Sequence, residues 1–369
     1  MQAEQEKKLL GLYTQFLMVS TGQISNTVLS SLLDKEISHD SFTRLLSGKE
    51  YSSADLWKLS KSYVRSVQSD DAVLIIDDHI EAKPYMDEND LICWHYDHTV
   101  SQRVKGINQL SMLYYSNDCS IAVGFRFVHK TEIVQDPKTG KDKRSSLITK
   151  NEHYRSLLKE AQLHQIKFQY VLNDVWYCSA ENIVFIGQEL KKHFIMPIKE
   201  NRKVALNEKD KKNGVYQKLS TVDLSDNKLV EVWLEGVEFP LHLTKQVFKN
   251  KDASEGFSHL ITNDLSIDSS KIHEIYKKWG GAAHAEVEEH HKTIKSNLNY
   301  AKSPAHTAKT QANHCFAVLY AAIQWEKLSK NIGLNHFALK AKLYLNALKT
   351  AWKELDMLKN TNGMVKATA

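Results

Sequence analysis

Two adjacent carboxylates, Asp77 and Asp78, close the apolar run Ala72-Val-Leu-Ile-Ile76, and a third, Asp174, closes Phe168-Gln-Tyr-Val-Leu-Asn173. Far downstream, Val287-Glu-Glu-His-His-Lys292 opens an amphipathic helical stretch with Lys295 two turns beyond Glu288. Acids at the ends of buried strands are costly, because desolvation and like charge both disfavour ionisation. A divalent metal relieves that cost. Acids from two strand ends and one helix, brought to a pair of Mg²⁺ ions about 4 Å apart, could drive in-line phosphoryl displacement. Taken alone, Asp77 and Asp78 would serve by default in a turn or a helix cap.

These residues need a scaffold large enough to hold them. With 369 residues and 42% hydrophobic content, the chain can bury a sizeable core and divide into two or three domains. Its 49 Lys+Arg against 44 Asp+Glu leave a net charge of +5, a modest excess that suits a polyanionic partner. No apolar run reaches membrane-spanning length, and the opening MQAEQEKKLL lacks the cationic-then-apolar order of a secretory signal. The expectation is a cytoplasmic protein with no membrane partner. Cys93, Cys119, Cys178 and Cys315 form no CxxC pair, so neither a zinc site nor a disulfide framework is indicated.

Apolar residues at helical spacing predict helices through residues 5–68. Ser38 can cap a short helix ending near Gly48, and the outline of helix, tight turn and polar helix is that of a helix-turn-helix, with Ser41, Thr43, Arg44 and Lys49 available to DNA. The same outline fits a small bundle that touches no DNA. From 72 to 198 the pattern becomes α/β: β-like runs at 91–97, 104–115 and 120–129, a Lys/Asp/Gly-rich loop at 135–146, a helix at 149–164, the strand ending at Asp174, a helix at 179–192 and a strand at 193–198. That order is the order of the ribonuclease H-like fold, in which the first and fourth strands lie side by side.

Residues 199–267 alternate between β-type segments and Asn, Asp and Gly turns, which predicts an antiparallel insertion. Helix returns over 269–300, and 305–358 reads as two long helices divided near Gly333, with a frayed tail from Asn360. The expected division is thus a helical DNA-binding domain at 1–70, the first part of a ribonuclease H-like mixed sheet at 71–198, a β-strand insertion at 199–267, a core helix segment at 268–300 and a helical C-terminal region at 301–369.

The segments IIDDHIEAKP, LNDVWYCSAENI and VEEHHKTIKSNL resemble those of bacterial insertion-sequence transposases of the DDE type, in the group with a β insertion before the glutamate and a Tyr-Arg-Glu-Lys signature. The likeness implies that Asp78, Asp174 and Glu288 hold two Mg²⁺ or Mn²⁺ ions, with Asp77 a supporting neighbour or the alternative first ligand. The signature's spacing selects Glu288, because only there does a lysine, Lys295, follow after six residues. The signature's Tyr and Arg positions hold Gly281 and His284; Tyr276 to Trp279 resembles the displaced half, with Lys278 nearest to the missing arginine.

The resemblance further implies cleavage and joining of double-stranded DNA at insertion-sequence ends by a homodimer in a bacterial, nucleoid-associated setting. Lys295, Arg44, Tyr276, Lys278 and His291 are the expected DNA contacts, and the helices at 305–358 the expected dimer contact. A nuclease without strand joining and a DNA-binding relic without catalysis are the competing readings.

Overall fold

The computed structural model describes residues 3–98, 100–137, 140–249, 254–278 and 286–365. Four helices open the chain: α1 (Ala3–Val19), α2 (Asn26–Leu32), α3 (His39–Ser47) and α4 (Ser53–Val67). Each of the last two starts at a serine whose hydroxyl accepts a backbone N–H that the first turn leaves unpaired: Ser38 from Asp40, and Ser52 from Asp55 in a capping box. The turn between α2 and α3 passes through the left-handed region at Asp34 and Lys35, with φ of 51° and 62°.

The run Val73 to Ile76 is wholly buried because both faces and both neighbours of its strand are covered. This strand, β1 (Val73–Ala82), does not stop at the two aspartates as the sequence predicts; it carries on past them. The reason lies in its partners. Along one side it pairs antiparallel with the 15-residue β3 (Gln102–Ser116) over its full length, Val73 to Ala82 opposite Tyr115 to Gly106. Along the other it pairs parallel with β7 (Tyr170–Asn173) only from Val73 to Ile76. Asp77 and Asp78 therefore lie where β1 continues and β7 has ended.

The other strands follow from this centre. β2 (Ile92–Asp97) and β4 (Cys119–Phe127) both pair antiparallel with β3, and β8 (His193–Pro197) lies parallel to β7. The order β4-β3-β1-β7-β8 makes a mixed sheet consistent with a ribonuclease H-like core. Helix α5 (Lys150–Leu163) leads into β7, and α6 (Ala180–Val184) runs on into one π turn, Phe185–Glu189, where one long helix is expected. The expected loop at 135–146 is in fact part of a hairpin, β5 (Glu132–Gln135) with β6 (Asp142–Ser145), whose exposed charged residues carry no apolar alternation to announce it.

The insertion is antiparallel, as its alternation predicts: β9 (Lys203–Ala205), a short α7 (Glu208–Lys212), β10 (Gln217–Lys218), β11 (Leu229–Leu234), β12 (Leu241–Lys249) and β13 (Glu255–Thr262). β13 pairs with β8, so the insertion extends the core sheet to eleven strands among the described residues. Then come α8 (Ser269–Tyr276), α9 (Glu286–Lys292), a π segment Thr293–Asn297, α10 (Ala308–Ile332) and α11 (His336–Val365). Gly333 (φ 70°) separates the last two helices, and α11 runs to Val365, past the Asn360 at which fraying is expected to begin.

Contacts gather the chain into two units. One holds Tyr51–His291 with His306–Ala308, and so includes the sheet and α4, whose Ser53 hydroxyl accepts the N–H of Phe125 on β4 at 3.2 Å. The other holds Met1–Glu50, Lys292–Ala305 and Lys309–Ala369. There the buried α10 ties the amino-terminal helices down: Asn313 donates to the carbonyls of Leu46 and Lys49, both at 2.7 Å, and Tyr13 bonds His314 at 2.9 Å.

Gly106 sits where two backbones approach closely in the central sheet. A Cβ there would stand 2.1 Å from the Glu81 carbonyl oxygen, a contact that backbone would have to relieve. Gly106→Ala is expected to cost about 1–3 kcal/mol, the usual scale for overpacking, read as a lower urea midpoint with an unchanged slope.

Candidate active site

The site is built where β7 ends. Asn173, the last residue of β7, is fully buried and held from two sides: Tyr154 of α5 donates to its side-chain oxygen at 2.8 Å, and Tyr276 of α8 donates to its carbonyl at 3.3 Å. Asp174 follows at once as the cap of a short 3₁₀ turn, its carboxylate accepting the Val175 N–H at 2.5 Å. The fixed end of a strand thus fixes a carboxylate.

Asp78 is held by two donors from different elements. Lys150 Nζ lies 2.6 Å from one carboxylate oxygen and Tyr177 Oη 2.6 Å from the other. Lys150 occupies the first turn of α5 because Thr149 and Glu152 close a capping box there. Tyr177 stacks on Tyr154 with ring centroids 5.0 Å apart, and Asn182 donates to its carbonyl. Burial and the adjoining Asp78 push the Tyr177 phenol well above its ordinary range, so it stays a donor.

Asp77 and Asp174 are partly buried, and each feels the charge around it. Burial, then Asp78 and Asp174, raise the Asp77 carboxyl well above the usual carboxylate range. Burial also raises Asp174, against the pull of the Val175 N–H, with Asp78 adding to the rise. Oxygen donors whose ionisation is opposed by burial and by one another are the set a hard divalent cation stabilises. In donor chemistry, these residues fit Mg²⁺ or Mn²⁺.

The remaining predicted residues divide. Glu288 is exposed on α9, and three residues on, His291 is half-buried with its ring 4.7 Å from that of His79 on β1. Among the described residues no three His, Cys, Asp or Glu side chains stand close enough to share one metal ion. The structure therefore gathers the aspartates without completing a three-acid site. Tyr276, expected at the DNA, is instead buried, and burial with the nearby Asp174 and Asp77 raises its phenol far above the ordinary range. Lys278 lies 5.8 Å from the Tyr115 ring. Lys295 and Arg44 are exposed, and both belong to the helical unit. Gly281 and His284 lie outside the described residues.

Sequence reasoning missed Lys150. The Thr-x-x-Glu box that starts α5 was its local signal, but nothing local shows that this lysine meets an aspartate 72 residues earlier.

A carboxyl raised above its unfolded value destabilises the fold when ionised, so its penalty is full above the folded pKa and fades as pH falls through it. Asp77→Asn is therefore expected to raise the melting temperature of the metal-free protein, with a gain larger at pH 8 than at pH 5 in thermal scans. An equal gain at both values would exclude ionised Asp77 as the source.

Two known families match the chain. The family described as DDE superfamily endonuclease matches residues 2–219, which include Asp77, Asp78 and Asp174. The family described as Transposase DDE domain matches residues 125–323, which include Asp174 and Glu288. No curated protein matches the chain. Each family match covers more than half of the 369 residues, and the chain belongs to the DDE superfamily of endonucleases and transposases.

Proposed function

We propose that this protein cuts and joins DNA at the ends of an insertion sequence by two-metal-ion phosphoryl transfer. The observation that carries the reading is the meeting of Asp78 and Asp174 at the end of β7, on the sheet of a chain with a transposase DDE domain. Asp78, Asp174 and Glu288 would hold the ions, with Asp77 the alternative first ligand. Divalent ions bound there would make a water or a 3′-OH more nucleophilic and stabilise the departing 3′ oxygen.

The chain's own residues would do the rest. Tyr177 would orient the Asp78 carboxylate, and Lys150 would balance its charge. Glu288 is carried on α9, the helix whose His291 touches His79 next to Asp78, which supports its closing on the aspartates when DNA is bound. Lys295 and Arg44, both exposed, would meet phosphates, with Lys278 and His291 as further backbone contacts. One observation favours the second reading, a DNA-binding protein without catalysis: the three acids are not assembled in the free chain.

A dimer would hold two ends together. The apolar positions on α10, among them Phe316, Leu319 and Ile323, are core. On α11, by contrast, Phe337, Tyr344, Leu348, Leu355 and Leu358 recur at spacings of three, four and seven, and all are exposed. That is the repeat of a helix pairing with another helix.

Incubation with end-bearing DNA and Mg²⁺ or Mn²⁺ tests the reading by its products: joined strands, nicks alone, or a gel shift alone. Asp174→Ala and Glu288→Ala are each expected to lower cleavage by at least about 10³-fold, the scale of losing a main electrostatic stabiliser, while leaving the gel shift in place. Undiminished cleavage by Asp174→Ala excludes the assigned site. Leu348→Glu is expected to shift the protein from dimer to monomer in light scattering; a monomeric parent would refute the α11 contact.

A further inference from the structure

Beside the aspartates lies a group of side chains of which the proposed chemistry uses only Lys150. Trp176 follows Asp174 by two residues, yet 45% of its surface is exposed, although a large indole ordinarily packs away from water. Two ammonium groups attend its ring, Lys150 Nζ at 5.9 Å and Lys199 Nζ at 5.3 Å from the centroid. The His98 ring, at the tip of the β2–β3 hairpin, lies 5.1 Å away, and Tyr96 meets His98 edge-on at 4.8 Å. Tyr96 is 51% exposed and stands directly opposite Arg103, so aromatic and guanidinium share one face of the hairpin. Aromatic rings interleaved with cations, at the rim of a carboxylate site, form an uncommon surface for a protein to leave open.

We infer that Trp176, Lys150, Lys199, His98, Tyr96 and Arg103 bind a single-stranded stretch of the DNA being processed, with one unpaired base stacked on Trp176. This rests on the nuclease reading for the choice of DNA. Only an unpaired base offers its face to a ring, and stacking accepts any base because every base has one. The cations supply what a strand needs and an apolar ligand does not. A base arriving on the indole displaces one ammonium from the ring onto the phosphate that travels with it. Lys150 is the member that links this surface to the acids, since the same Nζ lies 2.6 Å from Asp78.

The test uses the full chain, in EDTA so that no metal bridges DNA to the acids, and a fluorescein-labelled oligo-dT of about 15 nucleotides, within the range one small binding surface can engage. Fluorescence anisotropy is expected to show Trp176→Ala binding about ten-fold more weakly, in line with the loss of one stacked base, and Trp176→Phe close to the parent. Lys199→Gln is expected to lower the slope of log K against log salt by about 0.7, one phosphate contact on a single strand. Unchanged affinity in Trp176→Ala, equal losses in the Ala and Phe variants, or an unchanged salt slope in Lys199→Gln overturns the inference; tighter binding of oligo-rU than of oligo-dT overturns the choice of DNA. The two readings fail separately. Trp176-dependent binding by a protein that never cleaves end-bearing DNA defeats the nuclease reading alone, and cleavage by a protein indifferent to Trp176 defeats this inference alone.

Discussion

Negative charge collected at one place in a sheet is the constraint from which the rest of the candidate site can be derived. Two aspartates of β1 lie beside one from the end of β7, and burial opposes the ionisation of Asp77 and Asp174. Something positive must face them. In the free chain Lys150 supplies part of it, and Tyr177 supplies a donor that burial keeps protonated. The aspartates owe their meeting to a mismatch in length, since β3 accompanies β1 for ten residues and β7 for only four. A longer β7 would cover the carboxylates with backbone; a shorter β1 would not present them.

The residues around this point act mainly by holding one another. Asn173 takes hydrogen bonds from Tyr154 and Tyr276, which come from helices on either side of it in sequence, so the strand end is clamped before Asp174 leaves it. Tyr154 also stacks on Tyr177, and thereby connects the clamp on Asn173 to the donor on Asp78. Tyrosine suits these posts because it brings both a packing surface and one polar tip. The helical unit uses the same economy with amides: Asn299 reaches the carbonyls of Leu17 and Ser20, as Asn313 reaches those of Leu46 and Lys49.

Much of this fold was legible in the residues, and the exceptions have physical causes. β1 is announced by β-branched side chains buried on every side, and α3 by Ser38 at its start. The run past Asp77 is invisible locally, because it depends on β3 continuing alongside. The β5–β6 hairpin is exposed throughout β5 and carries no periodic apolar signal, and the π turn after α6 has none either. Asp174 was legible as an acid closing a buried run. The partnership of Asp78 with Lys150 and Tyr177 was not, since it joins residues 72 and 99 positions apart. Glu288 is read from its spacing to Lys295, and spacing along a helix says nothing of how far that helix lies from the aspartates.

The pairing of β13 with β8 changes what the insertion is. Pro197, Met196 and Ile195 lie opposite Leu260, Ile261 and Thr262, so the added strands complete the hydrogen bonding of β8 instead of standing apart from it. Excising them would strip the fifth core strand of its outer neighbour and leave an apolar margin ready to pair with another molecule. Such a chain would be prone to aggregate, so the strands from β9 to β13 protect the edge of the core sheet as well as extend it.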